Sequence, residues 1–344
     1  MKKTLRDYFP ILRTREELLE IINGSSRLNE VFSQWDAEYQ KEFLDFCSGA
    51  RGVKMLYDSF AKEILNPETI PERLNELSSL VLGSEVTILQ VLPNDNTRIA
   101  EESSLLLMDI VVKLSDGSIA NVEIQKIGYS FPGERCACYS ADLLLRQYKQ
   151  VRSTKNRKTF SYRDIKNVYT IVFFEKSAGV FHKFPEEYFH HFRQRSNTGL
   201  ELNLLQEYFL IPLDIFRKSY ENRNIDNRLE AWLTFLCSDN PEKIIELIEK
   251  YPDFRDMYEQ VYEICLNVER VMEMFSKELR ILDQNTVKYM IDEMQSEIDR
   301  QKEELKQKDL QMKAEREKTE ERDNLLKKAL KRIAELEASI NKNE

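Results

Sequence analysis

Cysteine is scarce in this chain and badly placed for bonding. The 5 cysteines among 344 residues, Cys47, Cys136, Cys138, Cys237 and Cys265, are scattered, odd in number and without a CxxC pair. That pattern argues against a disulfide framework and a zinc site and leaves reduced packing residues. Histidine is rarer still, with 3 in all: His182, His190 and His191 fall in "FHKFPEEYFHHF", where the neighbouring aromatics favour packing over metal binding. No apolar run approaches the ~20 residues of a membrane span. Met1-Lys2-Lys3-Thr4-Leu5-Arg6-Asp7-Tyr8 has no signal-peptide pattern, so a cytoplasmic protein with no membrane contact is the expectation. Repeats of solenoid length are also missing. Basic residues are the minority, 51 against 60 acidic, for a formal net charge of −9. That argues against a protein that coats nucleic acid over its whole surface, while permitting a local basic patch.

What is present is a chain with a real core. Its hydrophobic content is 42%, and its length accommodates roughly two domains of about 150 residues. Apolar spacing predicts helices at Glu16–Ile22, Ala37–Cys47, Val53–Leu65 and, opened by Pro71, Glu72–Leu82. A β-rich run, Val86–Leu92, stops at the turn Pro93–Asn96. After a hairpin discussed next, Pro132-Gly133 precedes a helix at Glu134–Val151, with Cys138, Ala141, Leu144, Leu145 and Tyr148 as its apolar stripe. Asn167–Phe174 is a nearly continuous apolar run, as expected of a strand buried on both faces. The regions read as 1–52 helical, 53–215 mixed, 222–284 helical, and 287–344 a charged helical tail without Gly or Pro. In heptad terms the tail has a good apolar column, Ile291, Ile298, Leu305, Met312, Thr319, Leu326, Ile333 and Ile340. The column three residues on reads Met294, Gln301, Lys308, Glu315, Arg322, Ala329 and Leu336, so an exposed or loosely paired helix, capable of self-association, is expected.

The hairpin is "MDIVVKLSDGSIANVEIQ", Met108 to Gln125. If Ser115-Asp116-Gly117 forms a three-residue loop with Gly117 left-handed, Leu114 faces Ser118. Met108 then faces Ile124, Ile110 faces Val122 and Val112 faces Ala120, an apolar side throughout, while Asp109 stands opposite Glu123. A two-residue Asp-Gly turn would scramble that apolar side, so the pattern selects the longer loop. Like charges directly opposite cost some tenths of a kcal/mol up to about 1. A hard divalent cation would offset the cost; the plainer alternative is the solvated face of an amphipathic hairpin.

"LLMDIVVKLSDGSIANVEIQKIGYSFPGERCACYSADLLLRQY" followed by "YRDIKNVYTIVFF", in the order helices, β, β, β, α, β, resembles the PD-(D/E)XK nuclease superfamily. More closely, the chain is similar to the PD-(D/E)XK nuclease family transposases, also described as recombination-promoting nucleases. The matching residues include Asp109, Glu123, Gln125, Arg135, Tyr139 and Gln147, with "LYDSFAKEIL" around Asp58, Phe60 and Lys62 upstream, and the resemblance covers about Gly52 to Pro212 and extends to the helical tail after it. It implies an α/β fold with a restriction-endonuclease-like core and a mixed central sheet, a helical lead-in and a long helical extension. It also implies an Mg²⁺-dependent DNA endonuclease, with Mn²⁺ as a substitute, in which Asp109 and Glu123 hold the metal that activates water. The superfamily usually places Lys two residues after the Glu, and here that position is Gln125, which can orient a water but carries no charge. Lys126 points to the other face. Slow or conditional cleavage follows, and the alternative is a nuclease-fold protein that binds DNA or a partner without cutting.

The resemblance adds Gln147 beside the active site and Asp58 as a further acidic group, where a helix cap is the plainer role. Glu101 and Glu102 precede the second strand, as a strand entry or as further metal neighbours. Phosphate contact needs cations, and Arg146 to Lys166 supplies them: Arg146, Lys149, Arg152, Lys155, Arg157 and Lys158, then Arg163 and Lys166, interleaved with Tyr148, Phe160 and Tyr162. This is the best nucleic-acid patch in an acidic chain, set against a merely solvated loop.

Overall fold

The computed structural model describes residues 3–92, 106–128, 131–154, 159–221 and 223–340. The chain divides into two units, Met1–Tyr289 and Met290–Glu344. The first begins with six helices: α1 (Leu5–Tyr8), α2 (Arg15–Asn23), α3 (Ser26–Ser33), α4 (Ala37–Ser48), α5 (Asp58–Ile64) and α6 (Pro71–Leu82). Local signals fix their ends. The Thr14 hydroxyl accepts from Glu17 N while the Glu17 carboxylate accepts from Thr14 N, closing the start of α2 reciprocally. α6 opens on Pro71 and stops at Gly83, left-handed at φ +68°. Two expectations need correction here. α3 was not foreseen, and the helix expected from Val53 starts only at Asp58. Val53, Met55, Leu56 and Tyr57 are all buried, so this run has no polar face for a surface helix; it crosses the core as irregular chain instead.

The sheet has six strands: β1 (Ile88–Val91), β2 (Leu106–Leu114), β3 (Ile119–Ile127), β4 (Val168–Lys176), β5 (His190–Phe192) and β6 (Gln206–Pro212). Their order is β1-β2-β3-β4-β6-β5. β1, β2 and β3 pair antiparallel in turn, β3, β4 and β6 run parallel, and β5 returns antiparallel on β6. Between β3 and β4 runs α7 (Pro132–Thr154), the crossover that a parallel pair requires. The α-β-β-β-α-β order is therefore present, with two strands, β5 and β6, that the sequence reading missed. β4 is central and buried along most of its length.

The chain continues through α8 (Leu213–Tyr220), α9 (Arg228–Cys237), α10 (Pro241–Lys250), α11 (Asp253–Leu266) and α12 (Val268–Ile340). One sheet face, with Val112, Val122, Ile124, Ile171 and Ile211, shares a core with Phe43, Trp232, Tyr258 and Phe275. Residues from 1–52, 53–215 and 222–284 thus bury one common apolar volume. The opposite face carries two smaller clusters, one of Cys136, Val172, Phe174, Phe181, Leu210 and Ile215, the other of Val111, Ile119, Leu143 and Val168. In the second unit, helical through Ile340, the apolar column remains 46–61% exposed from Ile291 to Ile333. Among the described residues no helix is long and apolar enough to cross a membrane.

Candidate active site

The hairpin is built in the register its pattern selects. Gly117 sits at φ +88°, its N–H donates to Leu114 O (2.9 Å), and Leu114 N donates to Ser118 O (2.8 Å). The Asp116 carboxylate fastens the loop by accepting from Ser118 N and Oγ at 2.8 and 2.7 Å. Met108 then pairs with Ile124, Ile110 with Val122 and Val112 with Ala120, and Asp109 stands opposite Glu123. Directly opposite Cα atoms in such a pair lie about 4.5–5.5 Å apart. The side chain of Asp109 lies outside the described ones; its place in the ladder is fixed by the backbone.

The carboxylate face is not solvated, which overturns the amphipathic-surface alternative for β3. Glu123 is 1% exposed, Gln125 2% and Asn121 2%. The cover is α7, whose buried residues are Pro132, Cys136, Ser140, Leu143 and Gln147. This corrects the expected stripe: Cys138 and Ala141 are exposed, as is Leu145, while the polar Ser140 and Gln147 face inward. Gln125 Nε2 donates to Glu123 Oε1 at 2.5 Å. Gln125 Oε1, Asn121 Oδ1 and Thr170 Oγ1 are buried acceptors without a hydrogen-bond partner, each costing about 1–3 kcal/mol in a dry site. Asn121 and Thr170 are neighbours in the β3–β4 ladder. Burial first, and the negative charge of Glu123 second, push the Cys136 thiol up to about 12. The Arg135 guanidinium lies over the Tyr139 ring at 5.0 Å.

These donors suit a hard cation. Mg²⁺ takes carboxylate and carbonyl oxygens, and β3 offers Glu123 with the open amide oxygen of Gln125, opposite the Asp109 position. Among the described residues no three of His, Cys, Asp and Glu gather as a metal cluster. Asn121 was missed from the sequence, yet its signal was legible: Asn121, Glu123 and Gln125 are polar at period two in a strand otherwise made for burial.

Lys126 lies on the opposite face, as alternation requires. Its Nζ donates to Glu278 Oε2 at 2.8 Å, with the two side chains 4% and 2% exposed, and stands 4.4 Å above the Tyr57 ring. Ser59 N donates to the other Glu278 oxygen at 3.3 Å. The start of α5 therefore reaches the Lys126 face through the Ser59 backbone; the side chain of Asp58 lies outside the described ones.

Gln147 is buried, and its contacts correct its expected place beside the carboxylates. Its Oε1 accepts from Lys166 N (2.7 Å) and its Nε2 donates to Gly117 O (3.4 Å), at the turn end of the hairpin. Six residues of strand separate Gly117 from Glu123, roughly 20 Å. A cleft of about 230 Å³ opens at this end, lined by Lys113, Gln147, Gln150 and Lys166 among others. The basic stretch follows from there. Arg146 pairs with Asp142 at 2.7 Å, Lys149 is exposed, and Arg152 donates to the Tyr148 hydroxyl with its guanidinium 5.6 Å from that ring. Tyr148, Phe160 and Tyr162 form one ring cluster, with Tyr162 74% exposed. Lys155, Arg157, Lys158, Glu101 and Glu102 lie outside the described residues. His191 stacks on Phe209 and contacts Glu207 at 2.7 Å, and His190 packs beside Phe181.

No curated protein and no solved structure matched the chain in comparisons with known proteins. A family model does match, over residues 59–296, which includes the whole hairpin, α7 and every later strand. With the sheet order and the Asp109–Glu123 register already in place, that match shows that the chain belongs to the PD-(D/E)XK nuclease family transposases.

Proposed function

We propose that this nuclease-family protein is a metal-dependent DNA endonuclease that hydrolyses phosphodiester bonds at the Asp109–Glu123 hairpin. One observation carries the reading: Asp109 pairs directly with Glu123, and beside Glu123 on the same buried face Gln125 keeps an acceptor oxygen without a donor. Asp109, Glu123 and the Gln125 oxygen would hold Mg²⁺ or Mn²⁺, which when bound supplies charge stabilisation at the phosphoryl oxygen and a more acidic attacking water. The chain's own residues do the rest. Glu123 keeps a carboxylate in a site dried by α7, where electrostatic interactions are stronger than in water. Gln125 fixes the Glu123 rotamer and can orient a water, without the positive charge that a lysine would bring to the developing oxyanion. Arg146, Lys149, Arg152 and the basic residues that follow contact phosphates farther along the strand.

The test is incubation of the full chain with supercoiled plasmid and Mg²⁺, Mn²⁺ or EDTA, beside Asp109→Ala and Gln125→Lys. Nicking that needs metal and disappears in Asp109→Ala is expected; cleavage persisting in that variant overturns the assignment. A second reading, DNA binding without cutting, is favoured by Gln125 donating to Glu123 in place of a charged lysine. It predicts an inert parent, cleavage gained in Gln125→Lys, and DNA retention that falls when Arg152, Lys155, Arg157 and Lys158 are replaced together.

A further inference from the structure

The segment beyond Met290 is helical to Ile340 and holds its apolar column in water. Ile291, Ile298, Leu305, Met312, Leu326 and Ile333 recur on one heptad position, interrupted once by Thr319, and stay 46–61% exposed. A helix of this kind gains its stability from a partner that covers the stripe.

We propose that the partner is the same segment of a second copy, lying antiparallel about a twofold axis between Lys313 and Ala314. The charges choose the direction. In a parallel, in-register pair the second core column faces itself, setting Lys308 on Lys308, Glu315 on Glu315 and Arg322 on Arg322; its flanks are mixed, Glu297 meeting Lys302 and Lys318 meeting Asp323 while Glu304 meets Asp309, so the self-facing core charges are what disfavour it. In the antiparallel pair the two columns interleave. Leu305 lies opposite Arg322, Met312 opposite Glu315, Thr319 opposite Lys308 and Leu326 opposite Gln301. Each long polar side chain then rests its stem on an apolar or hydroxyl neighbour while its head reaches water.

The flanks also choose the register. About that axis Lys302 meets Asp323, Asp309 meets Arg316 and Glu297 meets Arg332, each twice by symmetry. Sliding one heptad in one direction sets Asp309 on Asp309 and Lys302 by Arg316; in the other it sets Arg316 on Arg316 and Asp309 by Asp323. Only the first alignment brings opposite charges together at all three flanking pairs. Within one chain Lys302 and Asp323 are 21 residues apart in sequence, roughly 32 Å along a helix, so they cannot pair in cis.

Sedimentation equilibrium of the full chain tests this without any reference to cleavage. A reversible monomer–dimer equilibrium is expected. Lys302→Glu and Asp323→Lys should each weaken it about tenfold, because each reversal acts at two symmetric pairs. The double variant restores the opposite charges in the antiparallel pair and should return to within about threefold of the parent. Parallel pairing predicts the reverse. Glu297 would then face the carboxylate introduced at position 302, and Lys318 the ammonium introduced at position 323, leaving the double variant weaker than either single one. That result, a parent that stays monomeric, or a trimer overturns the proposal.

Discussion

β3 is buried on both faces, and the two faces are finished in opposite ways. On one, Lys126 is closed off by Glu278 at 2.8 Å and by the Tyr57 ring, a charge whose field is met within the fold. On the other, Asn121 and Gln125 keep buried oxygens without donors beside Glu123. Burial alone therefore says little about role. A buried polar group that is fully met holds structure; a row of oxygens left open in a dry site costs stability, and under the proposed function it is where the cation would be held.

That contrast can be broken from either side. The largest effect expected is on the closed face: Glu278→Ala leaves the Lys126 ammonium buried without its counterion and should lower unfolding free energy by about 3–5 kcal/mol, measured by urea denaturation. On the open face the cost should fall on chemistry. Glu123→Ala is expected to reduce plasmid cleavage by about 10²–10³-fold, with a stability loss of about 1–3 kcal/mol from the buried Gln125 amide left without its acceptor, below that of Glu278→Ala; a loss as large as that of Glu278→Ala would erase the distinction between the faces. At the turn end, Gln147→Leu removes both of its hydrogen bonds and should cost about 1–3 kcal/mol, with cleavage retained once the variant is folded. The smallest effect sharpens the comparison. Lys126→Met combined with Glu278→Leu replaces the ion pair by apolar volume and should leave stability within about 1 kcal/mol of the parent or above it.

The hairpin was readable because its information is local. A short loop closed by Gly117 and one apolar side admit a single register, and that register stands. What covers the hairpin was not local. The polar side of β3 reads as solvated by alternation alone; it is dry because α7 lies over it, and α7 meets it with Ser140 and Gln147, residues that a hydrophobic pattern assigns to the surface. Ser140 Oγ accepts from Gln206 Nε2 at 3.0 Å, on β6, so the inward face of that helix is set by a strand 66 residues later. β6 itself, Gln206–Pro212, is a short apolar run that becomes a strand by pairing with β4, and no neighbouring turn announces it. The outward reach of Lys126 was legible from alternation, whereas its partner, 152 residues away, was not.

The distance in sequence between Lys126 and Glu278 decides where this protein can be divided. A fragment ending at the last strand, or anywhere before Glu278, would strand an ammonium in the interior one residue from Gln125. The sheet therefore does not travel alone: a graft of this nuclease core onto another protein has to carry the chain through the first three turns of α12, to Glu278 and beyond.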